Sequence, residues 1–486
     1  MNMDPASLEL AKWRSTPLTP RTRLQIPAQD MPCQDPAVRR ANMQEVALGY
    51  TPAQAMLEAE RCLQCKNAPC IAGCPVRVDI PAFIGKIKEG DFLEAARIIK
   101  RTNLLPSICG RVCPQEKQCQ EPCTVGKALG GVEKAVQIGR LERFVADYER
   151  AQGAVDIPRV PASTGKRVAI VGAGPAGLTC AADVRREGHE VTIFEAFHKV
   201  GGVMVYGIPE FRLPKALVAA EAQVLETMGV SFELSFLVGR TRPLLSLLQK
   251  DGFDAVFIGT GAGLPKFMDI PGENLVGVFS ANEYLTRANL MKAYERGKAG
   301  TPIYPSRRVA VLGGGNVAMD AARMALRLGA EEVRVLYRRT RDEMPARAEE
   351  VEHAMEEGII FDFLKSPTRV LGDDTGRVAA LEVLSYELGE PDESGRRRPV
   401  PIRGSETIIP FDTVIVAIGN ESNPLISRTT PELKVDRHGH ILVDERQKTS
   451  IERVYAGGDI VLGSATVILA MGEGRRAAAA INEILQ

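Results

Sequence analysis

The sequence lacks an excess of charge of either sign and lacks any long hydrophobic run. Its 61 basic residues are balanced by 61 acidic ones, so no net field would attract nucleic acid or an anionic lipid surface. No stretch approaches the roughly 18 apolar residues of a membrane helix, and the opening residues MNMDPASLELAKWRSTPLTP have no apolar segment typical of a signal peptide. The sequence therefore predicts a cytoplasmic protein without a membrane span, and its 486 residues indicate two to four domains.

Disulfides are also expected to be absent, because a cytoplasmic chain keeps its thiols reduced, so the ten cysteines need another explanation. Eight of them form two blocks with the spacings C-x2-C-x4-C-x3-C-P and C-x3-C-P-x4-C-x3-C. Close thiolates on a short loop can wrap an iron–sulfur cubane, and a cysteine before proline often ligates a second cluster. We expect two 4Fe–4S clusters whose ligands interleave between the blocks. The blocks are Cys62, Cys65, Cys70 and Cys74, then Cys109, Cys113, Cys119 and Cys123.

Zinc is the alternative metal for such a segment. Zinc ribbons usually carry two C-x2-C knuckles, whereas this segment has one, between Cys62 and Cys65. The longer spacings that follow fit zinc poorly and favour iron–sulfur ligation.

A strand, a glycine-rich turn, a helix and a second strand are predicted over 167–196, which is typical of a dinucleotide-binding unit. Glu195 ends the second strand, where a carboxylate accepts hydrogen bonds from a ribose diol and would repel a 2′-phosphate. The unit therefore suits FAD or NAD. The residues expected at the diphosphate, on the helix N-terminus, are Gly172, Gly174, Pro175, Ala176 and Gly177.

The C-terminal segment favours FAD over NAD in that unit. Gly458 and Asp459 follow a predicted strand, where the carboxylate can bind the ribityl chain; taken alone, this would be an ordinary turn. A helix beginning near Ala465, Thr466 and Val467 would direct its positive end at the flavin and favour the anionic reduced form. Thr260, directly after the buried strand run DAVFIG, is expected at the same cofactor.

A second copy of the nucleotide-binding pattern occupies 308–339, with G-x-G-x-x-A after the strand VAVLG. Arg338 and Arg339 stand where the first unit has its acid, and planar guanidinium groups there suit the 2′-phosphate of NADP(H). The alternative is a solvated strand end, and Arg341 and Arg347 could also contribute. The turn residues expected at this cofactor are Gly313, Gly314, Gly315, Asn316 and Val317.

The predicted fold class is α/β, with a helical N-terminal iron–sulfur domain over 1–150 followed by two Rossmann-like nucleotide-binding domains. The FAD domain is expected over 165–290 and 410–486, interrupted by an NADP(H) domain over 300–409. Facing sites of this kind place the nicotinamide over the flavin, and the cofactors carry the chemistry. We therefore expect no catalytic side chain.

Together, RCLQCKNAPCIAGCPVRVDIPAFI, CGRVCPQEKQCQEPC, GGVMVYGIPEFRLPK and GGDIVLGSATVILAMGEGRRAA resemble the small-subunit (β) family of NADPH-dependent glutamate synthase. DPAVRRANMQEVALGYT is most similar to the branch with the large subunit of NADH-dependent ferredoxin:NADP oxidoreductase and sulfide dehydrogenase chains. The resemblance runs from about residue 30 to the end. Residues 1–25 match nothing in it.

The resemblance implies a ligand set for each cluster. One cluster would use Cys62, Cys65, Cys70 and Cys123, and the other Cys74, Cys113, Cys119 and Glu142. Cys109 then lies unused beside the second cluster, although spacing alone would have favoured it over Glu142. The resemblance also places six residues near the isoalloxazine: Gly201, Gly202, Tyr206, Gly207, Ile208 and Arg212. Of the other cysteines, Cys33 is expected in an exposed loop without a role, and Cys180 in the core of the first Rossmann helix.

The expected function is electron transfer between NADP(H), FAD and two 4Fe–4S clusters, to or from a second redox subunit. The resemblance implies that this partner is a glutamate synthase large chain or the small flavoprotein subunit of a ferredoxin reductase. The chain has no glutaminase-like segment, so we do not expect it to make glutamate alone. The alternatives are a stand-alone NADPH-dependent reductase of sulfide, polysulfide or a dye, and a cluster-binding scaffold with redox-silent nucleotide folds.

Overall fold

The N-terminal region is built from short helices, and the computed structural model describes residues 4–295, 297–392 and 395–486. Two of these helices begin at side-chain caps: Thr51 forms a capping box with Gln54, and the Asp91 side chain accepts from the Glu94 amide. The helices are α1 (Pro5–Arg14), α2 (Pro20–Arg23), α3 (Pro36–Arg39), α4 (Pro52–Glu60), α5 (Pro69–Ala72), α6 (Ile80–Glu89), α7 (Phe92–Lys100), α8 (Pro106–Val112), α9 (Thr124–Leu129) and α10 (Ile138–Ala151).

The first parallel sheet has the strand order β16-β4-β1-β2-β3, so a strand from the end of the chain lies beside strands from its middle. This arrangement agrees with the expectation that the first nucleotide unit is assembled from both ends of the remaining chain. Its elements are β1 (Arg167–Val171), α11 (Pro175–Arg185), β2 (Glu190–Phe194), α12 (Val203–Tyr206), α13 (Lys215–Thr227), β3 (Ser231–Glu233), α14 (Leu244–Gln249), β4 (Ala255–Ile258), β16 (Val454–Ala456), α19 (Asp459–Leu462) and α20 (Val467–Leu485).

A second parallel sheet has the order β6-β14-β7-β8-β9 and is followed by a small antiparallel sheet, in which β11 pairs with β10, β12 and β13. Its elements are β6 (Val278–Ser280), α15 (Ala281–Leu285), β7 (Arg308–Leu312), α16 (Asn316–Arg327), β8 (Glu332–Tyr337), α17 (Ala348–Glu356), β9 (Ile360–Phe363) and β14 (Thr413–Val416). The antiparallel strands are β10 (Lys365–Gly372), β11 (Val378–Pro391), β12 (Arg397–Pro401) and β13 (Thr407–Pro410). The short strands β5 (Leu264–Pro265) and β15 (Asn420–Glu421) pair with each other, and α18 spans Leu425–Thr429.

The strand pairing corrects the predicted domain boundaries. Strands β6 and β14 were expected in the FAD domain, but both pair within the second sheet, and β14 also pairs with β7. The inserted unit therefore extends over about 278–416 rather than 300–409. The reason is that a fully buried strand such as DTVIVAIG carries no sequence mark of the sheet it joins.

Two glycines allow close approaches to the start of helix α11, Gly177 with the glycine-rich turn and Gly474 with helix α20. A Cβ atom on Gly177 would lie 2.0 Å from the Gly172 carbonyl oxygen, and one on Gly474 would lie 2.3 Å from the Ala176 carbonyl oxygen. Neither position accepts a side chain without displacing backbone. Helix α20 thereby lies against the glycine-rich turn of the first nucleotide unit.

One hydrophobic core joins the N-terminal helices to the first sheet, since buried Ile84 and Leu105 belong to the same cluster as Val168 and Met471. Helix α20 is the connecting element, because Gly472 packs against Pro75. Across the described residues, no helix combines the length and the apolarity needed to cross a membrane.

The two isolated cysteines differ from each other. Cys180 is fully buried on α11, so its predicted place in the core is confirmed. The expectation that Cys33 is exposed was wrong: it is half-buried, its sulfur lies 3.9 Å from His353 Nε2, and burial raises its pKa. The sequence could not predict the burial of Cys33, because its neighbour His353 lies more than three hundred positions away in the chain.

Candidate functional site

The first four expected ligands surround one hollow. Cys62, Cys65, Cys70 and Cys123 line about 350 Å³ of open space, with apolar walls that include Ile80 and Ile84. The loop between Cys62 and Cys65 reverses at Gln64, which has a positive φ of 53°. Three of these ligands, Cys62, Cys65 and Cys70, are half-buried, so this hollow lies near the protein surface.

The second set surrounds a neighbouring hollow of about 370 Å³. Its cysteines are buried apart from Cys74, which is half-buried. Ile80 and Ile138 line both hollows, so the two sites share a wall. Ile468 from α20 closes this second hollow on the side of the first nucleotide unit. The candidate ligands around it are Cys74, Cys109, Cys113, Cys119 and Glu142.

The shape and chemistry of both hollows fit an iron–sulfur cluster. In the described part of the chain no three His, Cys, Asp or Glu side chains converge closely enough to hold a single metal ion. The thiols instead surround open space, which suits a cubane better than one zinc ion with ligands at about 2.3 Å. Burial raises the pKa of Cys70 to about 12 and of Cys74 to about 11. Such thiols become thiolates at neutral pH when a metal centre supplies compensating charge.

Five candidate side chains for four positions leave the choice between Cys109 and Glu142 open. Asn103 contacts both: its Nδ2 donates to Glu142 Oε1 at 2.6 Å, and its Oδ1 lies 3.6 Å from the Cys109 sulfur. Cys109 also lies 3.6 Å from Met471 Sδ of α20. Burial raises the pKa of Glu142 to about 8. Sequence reasoning missed Asn103, which belongs to no motif.

The first glycine-rich turn and the C-terminal turn meet as predicted. A Cβ atom on Gly458 would lie 3.0 Å from the Ala176 Cβ, and one on Gly202 would lie 2.9 Å from Gly174 Cα. Gly172 has a positive φ of 104°, which the tight turn after β1 requires. Burial raises the pKa of Asp459 to about 6.

Glu195 lies at the end of β2 beside this turn. Its carboxylate accepts hydrogen bonds from the Ala173 amide at 2.7 Å and the Phe197 amide at 2.9 Å. Burial raises its pKa, and these amide contacts work in the opposite direction. These two amides fix the carboxylate beside the glycine-rich turn. Its contact with a ribose stays a prediction.

Helix α20 connects this turn to the second hollow. Thr466 caps the helix by accepting from the Leu469 amide, and its hydroxyl also accepts from Gln118 Nε2 at 3.2 Å. Gln118 and Ile468 both line the second hollow. The positive end of α20, expected at the flavin, therefore also adjoins the cysteine site.

The GIPEFRLP loop (residues 207–214) is held by the side chains of Asn289 and Lys215, whose roles the sequence did not predict. Asn289, on a π-helical turn over Thr286–Leu290, donates to the carbonyl oxygens of Tyr206 and Gly207 at 3.3 and 3.1 Å. Lys215 Nζ donates to the Ile208 carbonyl at 2.5 Å, and burial lowers its pKa to about 8. A π-helical turn often marks a functional position, but its sequence TRANL carries no signature.

Arg212 from the same loop contacts the second nucleotide unit. Its guanidinium pairs with both carboxylate oxygens of Asp320 at 2.8 Å and with Glu350 at 2.9 Å. The resemblance implied a place near the isoalloxazine, which stays a prediction. In the structure this side chain joins the loop to α16 and α17.

At the second glycine-rich turn, only one of the two strand-end arginines is exposed. Arg338 points to solvent, whereas Arg339 is buried and donates to Asp392 at 2.5 Å and to the Arg397 carbonyl at 2.8 Å. The prediction for Arg339 is therefore corrected: it stabilises the β11–β12 connection rather than facing a 2′-phosphate. Successive residues of a strand point to opposite sides, and the sequence did not show which side faced the cofactor.

Two family models match the chain. The first, described as dihydropyrimidine dehydrogenase domain II, 4Fe-4S cluster, matches residues 39–154. The second, pyridine nucleotide-disulphide oxidoreductase, matches residues 166–482. These matches confirm the predicted order of an iron–sulfur domain followed by nucleotide-binding domains.

Two relatives match most of the chain, and a solved structure shares the fold of part of it. The glutamate synthase (NADPH) small chain of Halomonas elongata is 41% identical over 463 residues, 93% of this chain and 96% of that protein. The NADP(+)-dependent formate dehydrogenase subunit beta of Moorella thermoacetica is 40% identical over 86% of this chain, which spans 60% of that longer protein. Mycobacterium tuberculosis FprA in complex with NADPH has a TM-score of 0.55 at 19% identity, over 65% of this chain and 84% of that one, and shares the fold.

Proposed function

Since the chain belongs to the family of the glutamate synthase (NADPH) small chain, we propose that it transfers electrons between NADP(H), FAD and two 4Fe–4S clusters. It is an oxidoreductase of that type. The observation that supports the proposal best is the position of α20, whose first turn adjoins both the turn at Gly458 and the second cysteine hollow.

The arrangement gives the electron path an order. The second hollow lies against α20 and the first nucleotide unit, while the first hollow shares a wall with it and lies nearer the surface. We therefore propose the sequence NADP(H), FAD, the cluster at Cys74, the cluster at Cys62, and then a partner, in either direction. When bound, the nicotinamide, flavin and clusters carry the hydride and the single electrons.

The protein's own residues hold these groups and keep water away. The glycines of each turn let a diphosphate approach the backbone, and Ile80, Ile138 and Ile468 give the cluster sites apolar walls. Asn289 and Lys215 fix the carbonyls of the loop expected at the flavin. No side chain needs to act as an acid, a base or a nucleophile.

The partner is proposed to be a second redox subunit, either a glutamate synthase large chain or a small flavoprotein subunit. Support comes from the names of the relatives, which are a small chain and a beta subunit. The first hollow, nearer the surface, is the side from which electrons would pass to such a partner. The cytoplasmic location stays a prediction from the sequence.

An anaerobic titration tests the proposal. NADPH added to the purified holoenzyme is expected to bleach the flavin absorption and then to produce the electron paramagnetic resonance signals of reduced clusters. NADH at equal concentration is the control. An unchanged spectrum with NADPH would contradict the proposal, and a bleached flavin without cluster signals would contradict the proposed path.

Arg338→Ala is expected to weaken NADPH binding at least about tenfold and NADH binding by much less, because an exposed guanidinium there would pair with the 2′-phosphate. Steady-state kcat/KM for both nucleotides measures the effect. Arg339→Ala is the matched comparison, and it is expected to lower thermal stability through the lost Asp392 pair without a preference between nucleotides. Equal losses for NADPH and NADH in Arg338→Ala would refute the assignment of the 2′-phosphate.

A further inference from the structure

The loop between β8 and α17 is attached to the second glycine-rich turn. The Ala346 amide donates to the Gly314 carbonyl at 3.2 Å, and the Arg347 amide donates to Asn316 Oδ1 at 3.0 Å. Asn316 is the first residue of α16, the helix whose N-terminus would receive the diphosphate. A nucleotide bound at this turn therefore lies one hydrogen bond away from the backbone of Arg347.

The same loop is attached to the wall of the second cysteine hollow. The Arg347 guanidinium donates to Gln115 Oε1 at 3.1 Å and to the Arg111 carbonyl at 3.2 Å. Lys117 Nζ adds a contact to the Pro345 carbonyl at 3.1 Å. These contacts join two segments more than two hundred residues apart in the chain.

Gln115 carries the connection to the second hollow itself. It lines the second hollow, and its Nε2 donates to the Cys109 carbonyl at 3.2 Å. The contact at 3.1 Å to Gln115 therefore places the Arg347 guanidinium directly behind the wall of this hollow. The guanidinium is mostly buried, with 11% of the side chain exposed, and it pairs with Glu116 at 3.4 Å and with Glu349 at 3.2 Å. The field that reaches the hollow therefore depends on the position of the guanidinium relative to these two carboxylates.

We propose that Arg347 couples occupancy of the second nucleotide site to the reduction potential of the cluster held by Cys74, Cys113 and Cys119. This inference rests on the proposed function, because it needs a nucleotide and a cluster at these sites. The diphosphate brings negative charge to the loop that positions Arg347, which weakens the positive field at the cluster and makes its reduction less favourable. By linkage, reduction of the cluster weakens nucleotide binding by the same factor.

The sign of this coupling favours release of the nucleotide after electron transfer. An electron that reaches the second cluster adds negative charge beside Arg347 and loosens the nucleotide at the other end of the loop. Arrival of the electron thus promotes release of the nucleotide that supplied it. Arg347 is in this sense a positioning residue, since it touches neither the nicotinamide nor the flavin in the proposal.

The test is a redox titration of the holoenzyme followed by electron paramagnetic resonance, which separates the cluster signals from the flavin. The probes are 2′-phospho-ADP-ribose and ADP-ribose, because each has the diphosphate and no nicotinamide to exchange electrons. Saturating probe is expected to lower the midpoint potential of the second cluster in the wild type. Probe affinity should correspondingly fall about fivefold or more when the protein is reduced.

In Arg347→Gln the shift is expected to disappear. Arg334→Gln is the matched control, because it removes an arginine of the same domain whose ion pairs are to Glu332 and Asp362, and it should keep the full shift. A wild type without a shift, or an Arg347→Gln variant that retains it, would overturn the proposal.

A second variant protects the test against a folding defect. Lys117→Met changes an exposed side chain and removes its contact to Pro345. If Arg347→Gln loses iron, the titration is made with Lys117→Met instead. A probe-induced shift of the midpoint potential that is reduced by half or more supports the coupling, and an unchanged shift refutes it. Failure of the proposed function is distinguishable, because it would show as a flavin that NADPH does not bleach in the wild type.

Discussion

Replacement of Glu142 by alanine is expected to lower the iron content from about eight to about four atoms per chain, whereas Cys109→Ala is expected to leave it unchanged. Glu142 is a fully buried carboxylate, and within the described residues it belongs to no ion pair; its hydrogen bond comes from the neutral Asn103. Burial disfavours the charged carboxylate and raises its pKa to about 8, and an iron centre in the hollow it lines would supply the positive charge that favours the carboxylate. Cys109 instead has the contacts of a packed thiol, to Asn103 and Met471.

Iron and sulfide analysis together with electron paramagnetic resonance measures the outcome. Cys74→Ala is the positive control, since both ligand assignments include Cys74. Glu142→Gln keeps an acceptor for Asn103 but removes the negative charge, so a purely structural role would leave the cluster signal unchanged in that variant. Loss of iron in Cys109→Ala with retention in Glu142→Ala would assign the fourth position to Cys109, as the spacing alone had suggested.

The parts of the site that sequence predicted correctly are local in the chain. The tight turn at Gly172 and the start of α20 at Val467 each depend on a few neighbouring residues. The physical cause of each, a positive φ or an unpaired helix amide, is contained in a short segment. The gathering of the cysteines around two hollows also agrees with what the resemblance implied.

What sequence did not predict depends on partners far along the chain. The two arginines after β8 are chemically identical, and the position of Asp392 decides that Arg339 is buried. The place of β14 in the second sheet depends on β6 and β7. Asn103 and Asn289 act through hydrogen bonds to distant segments. An isolated asparagine has no periodicity or spacing from which such a role could be predicted.

Loss of the Arg212 side chain is expected to weaken the attachment between the GIPEFRLP loop and the second nucleotide unit more than the loss of any other side chain. Within a buried network it neutralises Asp320 and shares Glu350 with Arg323. The network continues through Glu357, which pairs with Arg323, Arg327 and Arg39. It thereby joins the N-terminal segment, the GIPEFRLP loop and helix α16.

The electrostatics show why Arg212→Ala should be severe. Burial would raise the pKa of Glu350, but Arg212 and Arg323 outweigh it and hold the value at about 2. Burial raises the pKa of Asp320 to about 6 even with Arg212 present. Without the guanidinium, the pKa of both carboxyl groups should rise, because each would be buried beside less positive charge.

Arg212→Ala is therefore expected to destabilise the protein by about 3–5 kcal/mol, the usual cost of removing one partner of a buried ion pair. A group whose pKa is raised by folding makes the folded state less stable as pH rises above its unfolded value. The deficit relative to the wild type should thus widen from about pH 5 to about pH 8. Thermal unfolding of the holoenzyme at both pH values measures it, and stopped-flow reduction by NADPH should also be slower.

Two variants separate the ion network from a general loss of charge. Arg212→Lys keeps a cation but lacks the two separate nitrogens, Nη1 and Nε, that contact Asp320 and Glu350, so it should recover part of the stability. Arg287→Ala removes an arginine that is 38% exposed and pairs with an exposed Glu283, and such surface pairs contribute about 0–1 kcal/mol. Arg212→Ala could instead unfold at the same temperature as Arg287→Ala, with no dependence on pH. That result would mean that the GIPEFRLP loop and helix α16 are joined mainly by apolar contacts and that the ion network is dispensable for stability.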